Sequence, residues 1–177
     1  MRHLFDYGFN ALPHSSETFP RAGFRRRFGS YIYDALMVLA IFMVAGYLGI
    51  GILIYLDHLN VIAIVRAEFE IDWHQTNTLY YYAYHAWNLA WVSFFFIYFW
   101  SKKGQTIGMR AWRLKVQNQD GSLMSKTTAI KRLLFTLFGL GNLAVIVDRK
   151  NKLSLQDRLT NTEVVVLTMA ASRARLQ

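Results

Sequence analysis

The sequence contains no cysteine, which excludes disulfides, cysteine-ligated iron–sulfur clusters and thiol catalysis. Proline is nearly absent too. The two that occur, Pro13 and Pro20, flank the polar run His14-Ser15-Ser16-Glu17, and residues 1–24 read as a flexible arm. His58, His74 and His85 do not stand at zinc-ligand spacing. No Ser-His-Asp set can be assembled. The segment Gly104-Gln105-Thr106-Ile107-Gly108 lacks the Gly-Lys-Ser/Thr ending of a phosphate loop, so it reads as a tight turn. The chain is accordingly not read as an enzyme, and no metal or cofactor is expected.

Charge is missing from three long stretches: between Asp34 and Asp57, between Asp72 and Lys102, and between Arg132 and Asp148. The hydrophobic residues, 54% of the chain with 16% aromatic, are many for a soluble fold of this size. They concentrate in blocks from Tyr31 to Leu56, Thr78 to Trp100 and Leu133 to Val147. A helix crossing a hydrocarbon core about 30 Å thick needs about 20 residues. The first two blocks reach that length and the third barely does.

The net charge of +9 is unevenly placed. Arg2, Arg21, Arg25, Arg26 and Arg27 outweigh Asp6 and Glu17 before the first block, and the basic residues from Lys102 to Arg132 face only Asp120. Between the first two blocks, Asp57, Glu68, Glu70 and Asp72 oppose Arg66 alone. Basic flanks and an acidic loop are the pattern of the positive-inside rule, which predicts a hairpin with both ends in the cytoplasm. Nucleic acid is not expected as a partner, because the basic residues adjoin apolar blocks and form no stripe interleaved with aromatics. The first block is too long for a signal-peptide core and should be retained as a helix.

The expected fold is therefore an α-helical membrane protein: a two-helix transmembrane hairpin plus a third short hydrophobic segment, with a small cytoplasmic β-hairpin or sheet. Helix 1 covers about 25–56 and helix 2 about 78–100, within a single membrane domain 25–167 that a basic tail, 168–177, follows. Tyr80, Tyr81, Tyr82 and Tyr84 at one end of helix 2, and Tyr98 and Trp100 at the other, form the belts expected at headgroup depth. Ala45, Gly46, Gly49 and Gly51 make a small-residue patch that another helix could approach. Val61 to Val65 is too short to span and belongs at the outer interface. The third segment, 133–147, has Lys126, Lys131 and Arg132 before it, Arg149, Lys150 and Lys152 after it, and Gly139, Gly141 and Asn142 inside. It spans, re-enters or lies flat, since non-helical backbone at membrane depth needs protein or water around it. Met109 to Val116, Ser122 to Ser125 beyond the turn Gln119-Asp120-Gly121, and Glu163 to Leu167 are the candidate strands.

Asp34 lies about two turns into helix 1. A charge there is costly in a membrane and is either solvated near the surface, paired, or turned to a polar cavity. Arg27 precedes it by seven residues, about 20° around the axis and about 10.5 Å along it. The two share a face but are too far apart to touch. A third polar group between them would complete a site.

The segments Arg27-Phe28-Gly29-Ser30-Tyr31-Ile32-Tyr33-Asp34, Gly104-Gln105-Thr106-Ile107-Gly108-Met109-Arg110 and Leu153-Ser154-Leu155-Gln156-Asp157-Arg158-Leu159 resemble, in this order, the RDD family of small bacterial membrane proteins. That family is named for one arginine and two aspartates. The resemblance implies Arg27, Asp34 and Asp157 here, over roughly residues 25–167. The chain departs from the pattern in its triple-arginine start and in Gln156, where relatives often carry His. The resemblance implies a bacterial inner-membrane, multi-pass protein with a cytoplasmic N-terminus and a transport-related role, cation/proton antiport having been proposed for some members. Two carboxylates and one Arg leave a net charge of −1, a place for one monovalent cation or proton, and Asp157 is expected to bridge Arg27 and Asp34. His85 and Asn88, three residues apart on helix 2, are possible supporting residues, for helix packing or proton relay, through a hydrogen bond within the pair. Two helices cannot enclose a pathway, so the bilayer is joined as partner by a homo-oligomer or a larger membrane complex. The other reading is an accessory or assembly subunit docked on such a complex, with no transport of its own.

Overall fold

The computed structural model describes residues 19–67 and 70–174. Residues 1–18 of the expected arm and the end of the tail, 175–177, lie outside them. The remainder of the arm is ordered against a sheet, and Met169–Ala174 forms a short helix.

The first long helix, α1, is Phe24–His58. It ends where Asn60 takes a left-handed conformation (φ 56°) and Val61 N–H donates to the Leu56 carbonyl at 3.0 Å. Asn tolerates that conformation, so the end is written locally. Two short strands, β1 (Arg66–Ala67) and β2 (Glu70–Ile71), pair antiparallel in the acidic connection. Asn77 then caps α2, Thr78–Lys102, by accepting from Leu79 N–H at 2.9 Å. Gly104, at φ +66°, closes α2 at its other end. Its carbonyl accepts from Val116 N–H at 2.7 Å; of the expected turn Gly104 to Gly108, the chain bends at Lys103 and Gly104, while Ile107 and Gly108 already belong to a helix.

Among the described residues α1 is the single helix long and apolar enough to cross a membrane, and only 17% of its most apolar stretch is buried. Helix α2 is long enough, but its tyrosines and tryptophans, with His85 and Asn88, hold its hydropathy down. The two touch where the glycine patch lies. Trp87 Nε1 donates to the Ala45 carbonyl at 2.9 Å, a Cβ on Gly46 would come within 2.9 Å of the Tyr84 hydroxyl, and one on Gly49 within 3.1 Å of the Trp87 ring. The patch is thus filled by this chain's own α2, apart from Gly51, which faces open space.

After α2 the strand expectations need correcting. Ile107–Ala111 is a short helix, α3, because Thr106 caps it by accepting from Met109 N–H at 3.1 Å. Strand β3 is Leu114–Asn118, and its partner is β4, Thr162–Val166, with Leu114 opposite Val166 and Asn118 opposite Thr162. Residues 122–125 follow the turn without forming a strand, though the Ser122 carbonyl accepts from Asn118 N–H at 2.9 Å. On the free side of β4, Ala22 N–H donates to Val164 O at 2.8 Å and Val166 N–H to Pro20 O at 2.9 Å. The arm thereby covers a sheet edge. Trp100, Met109, Leu114, Val116, Met124, Ala129 and Val164 form the core with Ala22.

The third apolar block is broken. Helix α4, Lys126–Thr136, passes into a 3₁₀ stretch, Leu137–Leu143, and then α5, Ala144–Val147. The part from Gly139 is bent by 83° from α4, with Gly139 at φ +95°, open to glycine at no steric cost. A straight third span is therefore excluded. A capping box between Ser154 and Asp157 starts α6, Leu155–Thr160, and α7 is Met169–Ala174.

Candidate functional site

Arg27 is buried, and its guanidinium is fully engaged. It donates to Asp157 Oδ2 at 2.6 Å, Ser154 Oγ at 3.2 Å, Asn142 Oδ1 at 3.4 Å, and the carbonyls of Ala22 at 3.0 Å and Lys152 at 2.9 Å. Arg25 is exposed and Arg26 partly so. Of the three arginines at this start, Arg27 is the one that faces the site.

Asp157 is wholly buried. Its Oδ2 also accepts from Ser154 N–H at 3.0 Å as part of the α6 capping box, and its Oδ1 lies 2.6 Å from Arg132 Nη2. Burial pushes this carboxyl up, but the guanidiniums of Arg132 and Arg27 and the Ser154 N–H and hydroxyl together outweigh it. Asp157 is held below the usual carboxylate range. Arg132 also donates to Thr162 Oγ1 and stands over the Trp100 ring at 5.7 Å. The Asn142 amide donates to the Tyr31 hydroxyl.

Asp34 does not join this pair, which corrects the expected bridge. Its Oδ2 accepts from the Thr106 hydroxyl at 2.6 Å and its Oδ1 from Gly108 N–H at 2.8 Å. Gly108 is needed for the approach, since a Cβ there would come within 2.2 Å of the Ser30 carbonyl and 2.8 Å of the Asp34 carboxyl. Arg27 and Asp34 are separate stations along α1, and each is taken by a different element: Arg27 by α6, Asp34 by α3 and its cap.

Both stations open on one cavity of about 30 Å³, room for a water molecule or two. Arg27, Ser30, Tyr31, Asp34, Arg132 and Asn142 form its polar wall, with Phe96, Trp100 and Met109 opposite. Arg132 changes the charge balance: two guanidiniums and two carboxylates sum to zero, so the expected net −1 does not exist. Sequence reasoning placed Arg132 among the flanking basic residues. Its one local signal is that Ala129 and Thr136 share its helix face, and a small and a polar neighbour mark an inward side.

His85 and Asn88 do not form a pair. His85 is exposed and stacks edge-on with Tyr81 at 4.4 Å. Asn88 is buried at the α1 interface and donates to the Tyr84 carbonyl at 3.0 Å. Neither reaches the cavity.

The fold and the site define a helical protein with one long lipid-compatible helix, whose buried base is fastened by an Arg–Asp–Arg cluster. The model of the RDD family matches residues 21–161, and the chain belongs to that family. No curated protein and no solved structure matches it. Family membership and α1 together indicate a membrane protein.

Proposed function

We propose that the chain is a multi-pass protein of the bacterial inner membrane with a transport-related role, in which Asp34 is the carboxylate that takes up and releases a proton. The carrying observation is that Asp34, alone among the charged groups of the cavity, has no ion-pair partner among the described residues. Arg27, Arg132 and Asp157 hold one another, and their charges serve as a fixed frame. A metal cation fits this cavity poorly. Two guanidiniums line it, and both oxygens of Asp34 already face N–H or O–H donors, whereas hard cations want bare oxygen ligands. A proton carries no such requirement.

In this reading α1 and α2 both cross, with the basic end of the hairpin and the N-terminus in the cytoplasm. The aromatic rings of α2 suit the two headgroup zones. The cavity is small and two helices cannot enclose a path, so the pathway is completed by a homo-oligomer or a larger membrane complex. Proton flux into proteoliposomes under an imposed pH gradient is the test. Wild type and Asp120→Asn should conduct and Asp34→Asn should not. Equal flux in all three removes Asp34 from the mechanism.

The second reading, an assembly subunit without transport, draws on a different observation. Arg27, Arg132 and Asp157 spend their bonds tying α1 to α4, the 3₁₀ stretch and α6, which is what a rigid docking platform needs. Purification in mild detergent separates the two: a stoichiometric foreign partner and no flux favour docking.

A further inference from the structure

The segment from Lys126 to Lys152 has two unlike sides. Inward, Arg132 and Asn142 both end at the buried cluster, 2.6 Å from Asp157 and 3.4 Å from Arg27. Ten residues of straight helix would separate them by about 15 Å, so the bend is what lets both reach it. Outward, the side chains are apolar: Ile130, Leu134, Leu140, Leu143 and Val147 are exposed, Leu134 by 68% and Val147 by 89%. No charge interrupts residues 133–147, while exposed Lys126 and Lys131 precede them and exposed Arg149, Lys150 and Lys152 follow.

The basic turn is fixed in place. The Lys152 carbonyl accepts from Arg27, which ties the turn carrying Arg149 and Lys150 to the first turn of α1. Asp148, the acid of the turn, is engaged by Arg158 at 2.7 Å and by Asn151. The 35 residues of α1 make a helix about 52 Å long, against a hydrocarbon core of about 30 Å. Its first turns, from Phe24 to Asp34, therefore extend past the hydrocarbon core into and beyond the headgroup layer when the apolar stretch is centred. An apolar face next to an unneutralised basic turn, at that depth, is complementary to an anionic leaflet.

We infer that Lys126–Lys152 is a lipid-contact element. Its outer face lies in the headgroup boundary of the leaflet at the base of α1, and Arg149 and Lys150 hold the phosphate of an anionic phospholipid. The 11 residues of α4 reach about 16 Å, so neither arm crosses the core. This inference does not depend on proton uptake by Asp34: flux can fail with the lipid face intact.

The absence of cysteine makes single-cysteine variants of the full chain unambiguous. Nitroxides at Leu134→Cys, Leu143→Cys and Val147→Cys, in vesicles containing phosphatidylcholine and phosphatidylglycerol, should relax more strongly with oxygen than with an aqueous nickel chelate. A nitroxide at Ser122→Cys should do the reverse. Aqueous behaviour at all three positions overturns the lipid face. In the second arm, association of spin-labelled phosphatidylglycerol is compared with that of phosphatidylcholine. The preference should fall about thirtyfold in the double variant R149Q/K150Q and be insensitive to inorganic phosphate. Both positions are exposed, so the variant should fold. An unchanged preference in the variant, or displacement by inorganic phosphate, overturns the phospholipid assignment.

Discussion

Asp157 does three things at once: it closes the cap of α6, pairs with Arg27 and pairs with Arg132. Removing it leaves two guanidiniums facing each other in a dry interior, and breaking a buried pair costs about 3–5 kcal/mol. Asp157→Ala should therefore unfold far more readily in detergent than Asp120→Ala, whose carboxylate is exposed on a turn; tryptophan fluorescence against denaturant measures both. The same group sets an acid limit. Its folded pKa lies below its unfolded value of about 3.9, so it contributes stability at every pH above that value and loses the contribution as pH falls toward the folded one. Melting temperature should be level from neutral pH to about pH 5 and fall below about pH 4, and the fall should be smaller in Asp157→Asn, which starts lower.

At the scale of elements, α3 is held to α1 by hydrogen bonds to Asp34 and by the packing of Trp112 against Gly29. The Thr106 hydroxyl donates to Asp34 and accepts from Met109 N–H, so one side chain serves as both link and cap. Thr106→Val should cost about 1–3 kcal/mol, since a buried acceptor and donor both lose a partner, and Thr106→Ser should restore most of it. Gly108→Ala tests the same junction by bulk. Backbone cannot yield as a flexible side chain can, and overpacking there should cost about 1–3 kcal/mol. If both variants melted like the wild type, the Asp34 junction would not be holding α3. The broken segment answers to other forces. Gly139 admits the bend, while the reason for bending is that Arg132 and Asn142 find their partners at one place.

For the whole molecule, the arrangement is a long apolar helix and an aromatic-rich companion rising from a polar base, into which α3, α4, α6 and the β3–β4 pair are folded back. In the proposed orientation α1 and α2 cross while the broken segment does not, so both termini share a compartment. Reporter fusions at the two ends, one active only in the cytoplasm and one only outside, should agree on the cytoplasm. Opposite locations would remove either the crossing by α2 or the interfacial placement of Lys126–Lys152.

Charge-free stretches, the Asn and Gly stops and the Ser154 to Asp157 cap are local in origin, and the sequence by itself determined them: α1, α2, the Gly104 turn and the start of α6 follow from hydropathy and capping. The ordered motifs also singled out Arg27, Asp34 and Asp157, of which the structure brings Arg27 and Asp157 together. Only the tertiary structure decided which groups meet. Asp34 went to Thr106 and Gly108, Arg132 turned inward while its neighbour Lys131 turned out, and β3 paired with the distant β4 and not with residues 122–125. Those outcomes depend on contacts between residues far apart in the chain. Spacing along one helix shows which side chains share a face, but the partner on that face is set by how the bent segment and α6 pack against the base of α1, which no local pattern encodes.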